Sequence, residues 1–184
     1  HIMWLDDDLL YKDCIALFNE MVRRRLHMTW DASNGIIASA MTKEIAHAAY
    51  ESGCVALSIG IESGNQNVRQ EVQKGRFNEN KIQEIVQKIK NAGIYASCNY
   101  IFGLPEDTQK SMQETLDLAI ELNGEWANFY CAMAYPGSEL YRNAKRESIT
   151  HPEDAENIGW ICYSQHSYKT FPLPTKTLSS AEVL

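Results

Sequence analysis

Short apolar runs alternate along the chain with stretches of helical periodicity. The apolar residues of those stretches recur at a spacing of three and four, as from Cys14 to Met21 and from Ile82 to Ile89, which places them on one helix face. The runs that predict strands lie at residues 1–5, 26–31, 55–60, 94–102 and 127–134. The order is therefore a strand followed by a helix, five times over.

Several residues mark where the helices begin and end. Gly93 suits the C-terminal end of the helix that contains Ile82 to Ile89. Met112, Leu116 and Ile120 predict a fourth helix, and a fifth is expected from Ser138 to about Arg146. Strands that are separated by helical crossovers pair in parallel, so the pattern predicts an α/β fold.

The length of the chain limits the architecture. A complete eight-unit barrel needs about 250 residues, so five units in 184 residues indicate either a partial barrel or a doubly wound sheet. We expect the βα units to occupy residues 1–149 and an ordered extension to occupy residues 150–184. Both ends of the chain look cut, and the sequence is expected to be a piece of a longer protein.

Composition and charge exclude some classes of function. The chain is 45% hydrophobic and 22% charged, which is ordinary for a globular protein. Its net charge of −7 argues against binding to a nucleic-acid backbone. The sequence has no run of 18 apolar residues and no signal peptide, so we expect a cytoplasmic protein without a membrane span.

The cysteines and histidines show no spacing that is typical of a metal site. The five cysteines are scattered, without CxxC or CxxxCxxC, and fit reduced, mostly buried thiols. A Ser-His-Asp pattern, a phosphate-binding GxxxxGK[ST] loop and a HExxH pair are also missing. The chain itself is therefore predicted to hold no metal.

Polar residues follow several of the predicted strands. Glu62 and Ser63 come within three residues of Gly60, and Glu106 follows Gly103 at the end of the next strand. The carboxyl ends of parallel strands open on one rim, where βα folds keep their chemistry. Each ending also suits a plain turn or helix cap. Their repetition favours a site, which we expect at the candidate positions Asp6, Asp7, Gly60, Glu62, Ser63, Gly103, Glu106 and Tyr135.

A set of motifs in fixed order resembles the radical S-adenosylmethionine (radical SAM) superfamily. The similarity is to the branch whose members often carry a cobalamin-binding domain, and it covers residues 2 to about 147. The motifs are Trp4-Leu5-Asp6-Asp7, Ser52-Gly53-Cys54, Gly60-Ile61-Glu62-Ser63, Lys74, Ala92-Gly93-Ile94, Ile101 to Thr108 and Tyr135 to Tyr141.

The resemblance implies a partial (β/α) barrel with about five of six βα units present. It also implies that Asp6 and Asp7 lie where the methionine amino group binds, and that Glu62 and Ser63 face the ribose or the methionine carboxylate. The segment from Tyr100 through Phe102 to Gly103 would pack against adenine, which adds Tyr100 and Phe102 to the candidate site residues, and residues 133–135 would offer backbone groups to it. The chain departs from the family pattern because the CxxxCxxC loop for a 4Fe–4S cluster is absent, and we expect that loop upstream of His1.

The implied function is that of a core fragment, inactive alone, from an enzyme that reductively cleaves S-adenosylmethionine to a 5′-deoxyadenosyl radical. Cobalamin-dependent methyl transfer is the outcome that the branch suggests, and the implied partners are a reductant and a small-molecule substrate. Two alternatives stay open. One is a binding or scaffold module that lacks the cluster, and the other is an unrelated βα-barrel lyase with Glu62 and Glu106 as acid and base.

Overall fold

The computed structural model describes residues 1–5, 9–11, 13–73, 79–149, 163–164 and 172–184. Its strands are Ile2–Met3 (β1), Trp30–Ile36 (β2), Cys54–Glu62 (β3), Tyr95–Phe102 (β4) and Trp126–Cys131 (β5). Its helices are Cys14–Arg23 (α1), Lys43–Glu51 (α2), Gln66–Gln73 (α3), Glu79–Asn91 (α4), Gln109–Leu122 (α5), Glu139–Arg146 (α6) and Ser180–Val183 (α7), with a short 3-10 helix at Ala38–Ala40.

The strands form one sheet in the order β1-β2-β3-β4-β5. The pairs β1–β2, β2–β3 and β3–β4 are parallel, with Ile2 opposite Trp30, Trp30 opposite Cys54, and Ser58 opposite Ser97. This sequential parallel order confirms the prediction made from the βα alternation. It follows from crossover helices between neighbouring strands.

The two faces of β3 and β4 differ in polarity. Leu57, Ile59 and Ile61 of β3 are buried, as are Ala96, Cys98 and Tyr100 of β4, and all belong to the core that includes the apolar face of α4. Side chains alternate along a strand, so Ser58, Gly60, Glu62 and Asn99 lie on the other face. The helices cover the first face, and the polar residues are collected on the second.

The second strand lies later in the chain than the sequence predicted. We expected residues 26–31, but β2 runs from Trp30 to Ile36. Arg25 has a φ of 53°, and the amide of Leu26 bonds to the carbonyl oxygen of Met21, so the start of the predicted strand belongs to the turn after α1. The polar segment after Asp31 lay outside the predicted strand, yet its backbone pairs with β3 through an irregular register.

The fourth helix is present, but it buries a face other than the one that the apolar stripe indicated. Leu116 and Ile120 are exposed, and Met112 is only partly buried. The buried residues of α5 are instead Ser111, Thr115, Leu118, Ala119 and Leu122. Because Ser111 and Thr115 lie on the inner face, the buried residues of α5 do not form a purely apolar pattern in the sequence. The helices predicted around Ile82 and after Ser138 are confirmed, whereas α3 was not predicted.

The chain divides into two compact units. The first comprises residues 1–100 and 114–128, and the second comprises residues 101–113 and 129–184. The predicted division at residue 149 stays a prediction, since residues 150–162 and 165–171 lie outside the described part. Among the described helices, none combines the length and the apolar character that a membrane crossing requires.

Candidate functional site

Glu62 is the last residue of β3, and its backbone adopts an uncommon conformation. Its φ is 69°, in the left-handed region that residues with a side chain seldom occupy. The chain turns at this point, with the amide of Ser63 bonded to the carbonyl oxygen of Ile61 at 2.9 Å. Uncommon backbone conformations of this kind concentrate at functional sites, and here the carboxylate stands at the strand end.

The carboxylate of Glu62 lies over Gly60. A Cβ atom at Gly60 would come within 2.6 Å of Glu62 Oε1, so the glycine makes room for the carboxylate. Burial raises the pKa of Glu62 above its usual value. No residue in the described part of the chain donates a hydrogen bond to it. A desolvated acceptor without a protein partner is suited to hydroxyl or ammonium groups of a ligand.

Ser63 and Gly64 fix the turn that carries Glu62. Ser63 is fully buried, and its hydroxyl lies 3.3 Å from Thr115 Oγ1 and accepts the amide of Asn65 at 3.1 Å. The amide of Gly64 donates to Thr115 Oγ1 at 2.9 Å. A Cβ at Gly64 would lie 2.3 Å from the carbonyl oxygen of Glu114, so this glycine permits the close approach of α5. The contacts of Ser63 are therefore internal.

A buried arginine supports the same turn, and sequence reasoning missed it. Arg69 of α3 is 1% exposed and donates from Nη1 to the carbonyl oxygen of Ser63 at 2.6 Å. Burial lowers its pKa. A single basic residue within a short polar helix gives little signal in the sequence, because its burial depends on tertiary packing.

Tyr100 is opposite Glu62 in the register of β3 and β4, but its ring belongs to the core. Its side chain is fully buried, and burial raises its pKa. The expected contact with adenine stays a prediction. The ring itself packs on the helix-covered face of the sheet rather than at the strand end.

In the second unit, the loop after β4 is built around Asp107. This residue is 1% exposed, accepts the amide of Leu104 at Oδ2 (3.0 Å) and accepts the hydroxyl of Ser111 at Oδ1 (2.6 Å). Burial raises its pKa, partly offset by these hydrogen bonds. Gly103 has a φ of 77°, and a Cβ there would lie 2.4 Å from Val183. The loop is thereby held by its own carboxylate.

The remaining predicted residues of this unit are placed as follows. Glu106 is exposed and pairs with Lys176 at 2.5 Å. The ring of Phe102 packs against that of Phe129 with centroids 5.2 Å apart. Tyr135 donates its hydroxyl to the carbonyl oxygen of Tyr163 at 3.0 Å. Each follows or ends its strand as predicted, and a role in binding stays a prediction for all three.

The acidic pair Asp6 and Asp7 lies outside the described residues, as does Lys74. Cys14, Cys54, Cys98 and Cys131 are free thiols. Within the described part of the chain, no three His, Cys, Asp or Glu side chains come together as a metal site would require.

The comparison with known proteins decides the family. The sequence profile of the Radical SAM superfamily matches residues 1–119. The chain belongs to this superfamily. It is 29% identical over 145 residues to an uncharacterised methyltransferase of Pyrococcus horikoshii, covering 78% of this chain and 31% of that protein. The chain thus spans about a third of the length of this relative.

Two solved structures show the same fold. The radical SAM methyltransferase TsrM from Kitasatospora setae, solved with cobalamin and a 4Fe–4S cluster bound, aligns with a TM-score of 0.57 at 18% identity over 64% of this chain and 24% of TsrM. Coproporphyrinogen III oxidase (HemN) from Escherichia coli, a radical SAM enzyme, aligns with a TM-score of 0.59 at 18% identity over 76% of this chain and 34% of HemN. The predicted α/β partial barrel of the radical SAM type is therefore confirmed as the fold class.

Proposed function

We propose that this chain is the S-adenosylmethionine-binding core of a radical SAM enzyme and that Glu62 binds the ribose hydroxyls. The observation that carries the proposal is the carboxylate of Glu62, which is desolvated, lies over Gly60 and has no hydrogen-bond donor among the described residues. A diol can donate two hydrogen bonds to one carboxylate, and such charge-assisted bonds are strong. The residues at this strand end therefore fit the cofactor.

The turn after Glu62 keeps the carboxylate in place. Arg69 and Thr115 hold the backbone of Ser63 and Gly64, so the position of Glu62 is set before any ligand arrives. A preorganised acceptor loses less freedom on binding. Other contacts are proposed from the resemblance alone, namely the methionine amino group at Asp6 and Asp7, adenine at Tyr100, Phe102 and Gly103, and further cofactor contacts at Ser63, Glu106 and Tyr135.

The chemistry of the intact enzyme would depend on a 4Fe–4S cluster held by a CxxxCxxC loop outside residues 1–184. When bound, the cluster and S-adenosylmethionine supply a one-electron cleavage of the sulfonium carbon–sulfur bond. Cobalamin-dependent methyl transfer is the proposed outcome, supported by a relative that is named a methyltransferase and by the likeness in fold to TsrM. We further propose a reductant and a small-molecule substrate as partners, a cytoplasmic location and no role for nucleic acid, with this chain inactive by itself.

The experiment is anaerobic reconstitution of the intact parent with iron and sulfide, followed by reduction and addition of S-adenosylmethionine and a cobalamin. A brown protein that consumes S-adenosylmethionine supports the proposal. Release of 5′-deoxyadenosine or transfer of an isotopically labelled methyl group then separates the two outcomes. A colourless protein that leaves S-adenosylmethionine intact contradicts the proposal and favours the scaffold alternative.

A further inference from the structure

The polar face of the sheet carries a row of hydrogen-bonded side chains next to the proposed cofactor site. Asn99 of β4 donates from Nδ2 to Ser58 Oγ of β3 at 2.8 Å. Asn128 of β5 donates from Nδ2 to Asn99 Oδ1 at 2.9 Å. We call Ser58, Asn99 and Asn128 the polar ladder. It crosses three strands within the first compact unit.

The polar ladder is unusual for the middle of a sheet. Asparagine is depleted in strands, because it favours turns and packs poorly on a pleated surface. Ser58 is buried, while Asn99 and Asn128 are half-buried. The opposite face of the same strands is built from apolar residues such as Ile59 and Cys98. The sequence therefore places hydrogen-bonding groups on the face opposite to the one that the described helices cover.

The ladder fixes its amides without using all their hydrogen bonds. A carboxamide offers two N–H donors and two acceptor lone pairs. Asn99 uses one donor and one acceptor, and Asn128 uses one donor and accepts Trp126 Nε1 at 2.6 Å. Each amide therefore keeps one N–H and one carbonyl lone pair that no described residue occupies. Because both amides are already oriented, they are ready to bind a ligand.

Trp126 adds a flat surface beside the ladder. Its indole is 64% exposed, yet its Nε1 is tied to Asn128, so the ring is held on the polar face. Aromatic rings stack favourably on such a surface. The ladder itself contains no ionisable group, and its open positions are neutral amide donors and acceptors. The complement is therefore a neutral, planar group with a donor next to an acceptor.

We propose that the polar ladder and Trp126 bind the substrate of the enzyme through a lactam-like edge, an N–H beside a carbonyl in a planar ring. Asn99 of the ladder lies opposite Gly60 in the register of β3 and β4, and the carboxylate of Glu62 lies over Gly60. The ladder therefore adjoins the proposed ribose site on the same face of the sheet. The assignment as a substrate site rests on the proposed function, whereas binding of the ring does not.

The test is a titration of the chain with 2-pyridone, followed by NMR at the side-chain amide signals of asparagine. We expect saturable shifts at Asn99 and Asn128 with a midpoint in the millimolar range. N-methyl-2-pyridone lacks the donor and should bind about tenfold more weakly, because one hydrogen bond is lost. Asn99→Leu should abolish the shift of Asn128, while Ser97→Ala on the same strand and face should leave it unchanged.

Absence of shifts at both asparagines in the unmodified chain would overturn the proposal and leave the ladder as a strand-to-strand brace. Equal binding of the two pyridones would overturn it as well. The titration uses neither S-adenosylmethionine nor a cluster. Its failure is therefore distinct from failure of the proposed cofactor site, and neither result depends on a variant that folds.

Discussion

The ends of β3 and β4 carry the same sequence pattern but use it in opposite ways. Each strand is followed within a few residues by a carboxylate whose pKa is raised by burial. The carboxylate of Asp107, after β4, accepts hydrogen bonds from the amide of Leu104 and the hydroxyl of Ser111. Glu62, at the end of β3, has no such donor among the described residues. A buried carboxylate that accepts hydrogen bonds from its own loop stabilises that loop. A buried carboxylate without such donors can accept hydrogen bonds from a ligand.

The largest expected effect is on the loop after β4. Asp107→Ala removes the acceptor for two buried donors, so the free energy of unfolding should fall by about 2–4 kcal/mol. Urea denaturation measures it. Glu106→Ala is the matched control, because its exposed ion pair with Lys176 should contribute less than about 1 kcal/mol. Equal losses in the two variants would remove the structural role assigned to Asp107.

A smaller loss is expected in the turn that carries Glu62. Thr115→Val leaves the amide of Gly64 without its acceptor inside the protein, at a cost of about 1–3 kcal/mol. Denaturant unfolding again provides the measurement, with Ser97→Ala as a control at a half-buried hydroxyl of β4 that no described residue bonds. If Thr115→Val is as stable as the unmodified chain, the turn is not held by this contact and Glu62 is not preorganised by it.

The smallest effect concerns pH. The folded pKa of Glu62 is raised above 4.5, so the native state binds its proton more tightly than the unfolded state. Its contribution to stability is therefore present below about pH 4.5 and is lost as the pH rises through the folded pKa. Glu62→Gln should remove this loss of stability at higher pH. The measurement is the free energy of unfolding as a function of pH, compared between the variant and the unmodified chain.

Glu44 provides a control of opposite sign. Hydrogen bonds from its own backbone and from Thr42 lower its pKa, so Glu44→Gln should remove a contribution that is present above pH 4.5 and lost in acid. If the pH profiles of unfolding for Glu62→Gln and Glu44→Gln differ from that of the unmodified chain in the same direction, the raised pKa assigned to Glu62 is wrong.

The sequence was sufficient for the fold class because the βα alternation and helix caps are local signals. Gly93, for instance, ends α4 with a φ of 84° as predicted. It was insufficient for β2, where polar residues pair in the sheet, and for the buried face of α5, where Ser111 and Thr115 face inwards. Both depend on tertiary contacts that periodicity does not contain.

For the candidate site, the positions of the carboxylates at the strand ends were predictable from the sequence, but their hydrogen-bond partners were not. A carboxylate after a strand can be recognised in the sequence, as at Glu62 and at Glu106. Whether its hydrogen bonds are already made depends on residues far away in the chain, such as Lys176 for Glu106. Arg69 and the polar ladder carry no motif at all, since their roles arise from packing and from pairing across strands.

The most direct test of the central claim is calorimetric titration of the reconstituted parent enzyme with S-adenosylmethionine. It compares Glu62→Gln with the unmodified protein and with Glu44→Gln, a control at an exposed residue of α2 for which no cofactor contact is proposed. Loss of a charge-assisted hydrogen bond costs about 1.5–3 kcal/mol, so Glu62→Gln should weaken binding roughly ten- to a hundredfold. The fold of Glu62→Gln should be unchanged, and Glu44→Gln should bind S-adenosylmethionine as tightly as the unmodified protein. Unchanged affinity in Glu62→Gln would contradict the account and would leave Glu62 as the end of a strand without a role in binding the ribose.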